Sequence, residues 1–124
     1  MRKIIITAGD VTAIGVLNDN ETADAIWDAL PISARGNTWG DEIYFSIPVH
    51  VDEAADANDV VDMGALAYWP PGNAFCIFFG RTPASRGDEC RAASAVNAVG
   101  KIEGDPTVFK KAPGGSTVTL EKEA

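Results

Sequence analysis

The stretch Tyr68-Trp69-Pro70-Pro71-Gly72-Asn73-Ala74-Phe75-Cys76-Ile77-Phe78-Phe79-Gly80-Arg81-Thr82-Pro83 decides the reading of this chain. It contains a run ending in two aromatics, a turn, and a second, very apolar run closed by a glycine and an arginine. Proline sets the negative φ of an early turn position, and glycine or asparagine supplies positive φ later. The pattern predicts a hairpin with strands over residues 64–69 and 74–79. The second run is apolar at every position, so it is expected to be a central strand buried on both faces.

Working outward, residues 43–51 alternate cleanly. Ile43, Phe45, Ile47, Val49 and Val51 share one face, and Tyr44, Ser46, Pro48, His50 and Asp52 share the other. This is the pattern of a half-buried strand, with Pro48 marking an edge position or a break. Residues 3–8 and 11–17 flank Gly9-Asp10 and predict an opening hairpin. Residues 21–30 carry Ala23, Ile26, Trp27 and Leu30 on one helical face, with Asn20 as the cap and Pro31 as the stop. Trp27 is expected to anchor core from that face. Residues 31–38, with Gly36 inside, predict a strand with a bend. The acidic, alanine-rich residues 52–62 predict an exposed loop or a short helical turn. Strand character returns over 92–102, Asp105-Pro106 predicts a short second helix, and residues 116–120 predict a closing strand. About seven or eight short strands and one clear helix make a mainly β single domain over 1–124. A closed or nearly closed barrel with a helix over one end fits, and a β-sandwich is the structural alternative.

The composition narrows function by exclusion. A length of 124 residues with 46% hydrophobic content supports one packed core without covalent staples. The formal net charge of −8 repels phosphate backbones and anionic lipid, so neither nucleic acid nor membrane is an expected partner. The few apolar residues after Met1-Arg2-Lys3 do not make a signal-peptide core, and a cytoplasmic location is the expectation. Cys76 sits in an apolar run and Cys90 in a polar one. They form no CxxC pair and no zinc-spaced cluster, and the EF-hand pattern is absent from the acidic stretch, so no metal or cofactor is expected.

Motif chemistry is sparse. His50 is the single histidine, it lies on the polar side of a strand, and no GxSxG elbow accompanies it. It is expected to be a surface or hydrogen-bonded residue. Asp41 and Glu42 are adjacent carboxylates beside a turn and are expected to be solvated. The arginines carry more information, because the chain has only ten basic residues against eighteen acids. Arg35 lies in a bent strand and Arg81 follows the central one. A pocket formed by Arg35, Tyr44, Trp69, Phe79 and Arg81 would offer a guanidinium fork among aromatic walls, suited to a carboxylate or a peptide carbonyl. Trp39, Tyr68 and Trp69 stand beside turns, where aromatics build either core or a peptide groove.

Residues 18–32, Trp39-Gly40-Asp41-Glu42-Ile43-Tyr44-Phe45, the double-proline hairpin and Val96-Asn97-Ala98-Val99-Gly100-Lys101-Ile102-Glu103-Gly104-Asp105 resemble the prokaryotic cyclophilin-like domain family. The resemblance spans nearly the whole chain. It implies a cyclophilin-type β-barrel with a helix plugging an end. The expected function is binding of a small anionic molecule or an extended peptide in the arginine and aromatic pocket. Peptidyl-prolyl isomerisation is the enzymatic alternative, in which an arginine would stabilise the twisted amide by hydrogen bonding to the proline nitrogen; the resemblance implies the barrel and not that activity. Related barrels also form subunits of prokaryotic amide-hydrolysing enzymes, so a homo-oligomer or a protein partner stays open.

Overall fold

The structure, a computed structural model, describes residues 2–123. It opens with the expected hairpin, Lys3–Ala8 (β1) and Val11–Leu17 (β2), with Ala8 opposite Val11. Gly9 turns the chain at φ +60°, a region that disfavours a side chain. Helix α1, Glu21–Ala29, starts where Asn20 accepts the Ala23 N–H at 2.8 Å, which satisfies one of the open donors of a helix start. Ala23 and Ile26 are fully buried, while Trp27 is half-buried at the rim of the core. The Arg2 guanidinium and the Lys122 ammonium lie 5.7 Å and 4.8 Å from the Trp27 ring centre. Trp27 therefore seals the core edge beneath two cations rather than filling its middle.

The next segment bends as expected. Ile32–Arg35 (β3) and Asn37–Thr38 (β4) meet at Gly36, where a Cβ would come within 2.9 Å of Val118. Glu42–Ser46 (β5) ends five residues earlier than the alternation suggested. The Ile47 N–H leaves the sheet to donate to Asn73, and Pro48 has no N–H to continue a ladder. Ile47 and Val49 nevertheless stay buried, so side-chain periodicity outlasts strand pairing. Within the acidic stretch, Asn58–Val61 forms a short strand (β6) instead of a loop or helical turn. Ala65–Trp69 (β7) and Ala74–Phe78 (β8) form the predicted hairpin around a 3-10 turn at Pro70–Gly72, with Asn73 at φ 48°. Cys90–Glu103 (β9) is the longest strand, and Thr117–Lys122 (β10) closes the chain. The second helix is a 3-10 helix, Pro106–Lys111, whose start is held by Asp105 accepting the Thr107 N–H at 2.9 Å.

The strands pair antiparallel in the order β3-β10-β1-β2-β9-β7-β8-β5-β4, and β6 adds onto β9. The two end strands are consecutive in the chain, joined only by Gly36. The sheet is thus not closed by a continuous ladder but is strongly curved, and a sandwich is not formed. Ile4, Ile6, Phe45, Leu66, Tyr68, Phe75, Ile77 and Leu120 fill the interior with almost no exposure. Phe45 and Phe75, paired across β5 and β8, pack with ring centres 5.6 Å apart.

A second, smaller core lies outside the curved sheet. It contains Ala67, Ala74, Cys76 and Phe78 together with Cys90, Ala92 and Val96. The cover comes from β9. Its later half pairs with β7 and β2, while Cys90, Arg91 and Val96 pair with β6. All five residues of β8 are therefore buried, as the unbroken apolar run implied. Cys76 and Cys90 both lie in this outer cluster, buried and free. No helix among the described residues is long and apolar enough to cross a membrane.

Candidate functional site

The outer face of β5 carries the candidate site. Strand alternation sends Ile43 and Phe45 inward, so Glu42 and Tyr44 must point outward. There they meet Trp39 from the turn between β4 and β5, Trp69 from the end of β7, and Ala92, Ala93 and Val96 from β9. These residues enclose a cavity of about 260 Å³.

The double-proline turn positions Trp69. Gly72 lies against the indole, and a Cβ at that position would sit 2.9 Å from two ring carbons. From the other side, Trp69 Nε1 donates to Ser94 Oγ at 2.7 Å. A turn glycine and a β9 serine thus fix the orientation of one wall.

Glu42 is the unusual member. It sits opposite Phe78 in the β5–β8 register and is only 5% exposed. Burial raises its carboxyl from the ordinary 4.5 to about 7, against a weaker downward pull from a hydrogen bond with the Cys76 thiol. No neighbouring cation contributes. Burial also pushes the Cys76 thiol well up, and the Glu42 charge adds to that effect. Every fully sealed side-chain nitrogen or oxygen among the described residues has a hydrogen-bond partner. The Glu42 carboxyl, with no nitrogen or oxygen donor bonded to it among the described residues, therefore retains access through the cavity it lines. This overturns the expectation that Asp41 and Glu42 are both solvated. Asp41 does remain at the surface, beside Lys110 at 3.8 Å.

The five residues expected to form one pocket are distributed as follows. Tyr44 and Trp69 line the cavity together. Phe79 points into the interior, where its ring centre lies 6.0 Å from that of Phe109. Arg35 is exposed on β3, opposite Thr117 of β10 and close to Gly115. Arg81 is exposed just after β8, and its carbonyl accepts the Asp41 N–H at 2.8 Å. Neither arginine nor Phe79 belongs to the cavity lining. Of the other aromatics, Trp39 lines the cavity, whereas Tyr68 is fully buried and its hydroxyl donates to the Val49 carbonyl at 2.7 Å.

Elsewhere the polar groups serve structure. His50 Nδ1 lies 3.0 Å from Asn73 Oδ1, with no acid in that contact. A larger, acidic cleft of about 530 Å³ runs between the start of α1 and residues 50–56. Its floor is Asn97, which donates to Thr22 Oγ1 and the Asp52 carbonyl and accepts the Ala54 N–H at 2.7 Å. Asn97 is thus a clip joining helix, loop and β9. Among the described residues, no group of three or more His, Cys, Asp or Glu side chains converges as a metal site.

Sequence and structure comparisons agree on the lineage. The family model described as cyclophilin-like matches residues 2–121. The solution structure of a hypothetical protein from Archaeoglobus fulgidus is similar, with a TM-score of 0.84 and 40% identity over 98% of this chain and 95% of that one. No match was found among curated proteins. The chain belongs to the cyclophilin-like domain family.

Proposed function

We propose that this protein is a binding module. Its ligand is an extended peptide or a small molecule that places a side-chain-sized group in the outer-face cavity. The observation that carries this reading is the grouping of Trp39, Tyr44 and Trp69 around one buried carboxyl that has no cationic partner among the described residues. Aromatic walls supply contact area at low entropic cost, and a single polar group supplies orientation. An anionic ligand fits less well than a neutral or cationic one, because its charge would lie against Glu42. Isomerisation is the weaker alternative. It calls for a donor at the prolyl nitrogen, and the cavity lining includes no arginine.

The test is an NMR titration of labelled protein with acetyl-Gly-Lys-Pro-Ala-amide, following the protein resonances and cis–trans exchange of the peptide. The expected result is shifts centred on the Trp39 and Trp69 indoles with unchanged peptide exchange. Shifts centred elsewhere, or none, overturn the binding reading. Faster exchange would replace it with isomerisation, since the uncatalysed reaction takes tens to hundreds of seconds.

A further inference from the structure

We infer that the group taken by the cavity is an alkylammonium, its N–H directed to the Glu42 carboxylate and its aliphatic carbons packed against Trp39, Tyr44 and Trp69. The inference rests on the cavity being the binding site. Three observations lead to it. Glu42 is 5% exposed, and its charge is raised in energy by burial with no cation among the described residues to offset it. An acid in that position takes its donor from whatever occupies the cavity, and a cationic donor there displaces water and offsets the buried charge. The walls around it are aromatic or aliphatic, and Trp and Tyr rings attract a cation while covering an alkyl chain. Finally, the net charge of −8 concentrates cations near the surface before they enter.

The titratable groups facing Glu42 are few. β8 presents the Cys76 thiol, which burial and the Glu42 charge both keep protonated. Its own strand presents Tyr44, while β7 and β9 present Trp69, Ala92, Ala93 and Val96. Glu42, the one acid lining the cavity among the described residues, thus titrates at about 7. An ammonium selects its ionised form, so binding below pH 7 releases a proton from the carboxyl. The ionised fraction rises roughly tenfold between pH 6 and pH 8, and affinity is expected to rise by that factor. The ammonium itself stays charged until near pH 10.

The experiment compares acetyl-Gly-Lys-Pro-Ala-amide with the same peptide carrying norleucine for lysine, and with n-butylammonium, each at pH 6 and pH 8. The lysine peptide is expected to bind at least tenfold more tightly than its norleucine counterpart at pH 8, with an approximately tenfold pH dependence. Glu42→Gln is expected to remove both differences. Equal, pH-independent binding of the lysine and norleucine peptides at the two indoles overturns the ammonium assignment while leaving the cavity as the binding site. No response to any probe overturns both. Butylammonium binding within tenfold of the lysine peptide supports the assignment and identifies a free amine as the ligand. A larger gap supports it and identifies a lysine side chain on an extended peptide. The norleucine comparison uses the wild-type protein, so it stands whatever Glu42→Gln does to folding.

Discussion

Replacing Glu42 by glutamine tests the electrostatics of the cavity without any ligand. The carboxyl titrates at about 7 in the folded protein against an ordinary 4.5, a gap of roughly 2.5 pH units. At about 1.36 kcal/mol per unit, ionising this group in place costs the folded state up to about 3 kcal/mol. The direction follows from proton counts. Below pH 4.5 the acid is protonated whether the chain is folded or not, and it has no differential effect. Between 4.5 and 7 the unfolded chain has released its proton while the folded one retains it, so stability falls as pH rises. Above 7 both are ionised and the penalty is complete. An amide of the same shape carries no such penalty. Urea denaturation of both proteins from pH 4.5 to 8.5, followed by tryptophan fluorescence, should show Glu42→Gln gaining on wild type by about 3 kcal/mol across that range. The difference between the two proteins isolates this one group from the other acids, because those titrate identically in each. A difference that stays flat with pH would refute the argument, since it would mean the carboxyl is solvated and the cavity lacks its buried acid.

Two further substitutions probe what holds the site in place. Tyr68→Phe removes the hydroxyl that donates to the Val49 carbonyl and accepts from the Val51 N–H. Leaving these backbone groups unmet beside the core should cost roughly 1–3 kcal/mol, read as a lower urea midpoint with an unchanged slope. Asn97→Ala opens the clip between α1, residues 52–54 and β9. It is expected to cost roughly 2–3 kcal/mol. It should also raise amide exchange first at Ala54, whose N–H loses its acceptor. Unchanged exchange there would mean that the loop is held by other contacts.

Local elements were legible because their signals are short-range. The Asn20 cap, the Pro31 stop and the glycine at the bend between β3 and β4 each act within a few residues of themselves. The double-proline turn, with Asn73 at positive φ, is the same kind of signal. The unbroken apolar run of β8 also predicted burial on both faces without revealing what covers the outer one. The alternation over 43–52 holds for direction and for solvent, with Ser46, Pro48, His50 and Asp52 exposed and Tyr44 half-buried. The exception is Glu42, which points away from the main core yet is buried at the covered end of that face.

The sequence by itself determined the β-rich class, the helix, the hairpins and the inward faces, because hydrophobic periodicity and turn chemistry are written in neighbouring residues. It also carried the family resemblance across nearly the whole chain. Only the tertiary structure decided which aromatics share a cavity and which charge they enclose. Glu42 is buried because β9, about fifty residues further along the chain, folds Ala92 and Val96 over the outer face of β5 and β8. No pattern around Asp41-Glu42 encodes that contact. For the same reason Arg35 and Arg81, close to the aromatics in the sequence, were separated from the cavity by sheet order and strand alternation. Proximity along a chain sets the direction of a side chain, whereas the dielectric around it is set by whatever distant strand arrives to exclude water.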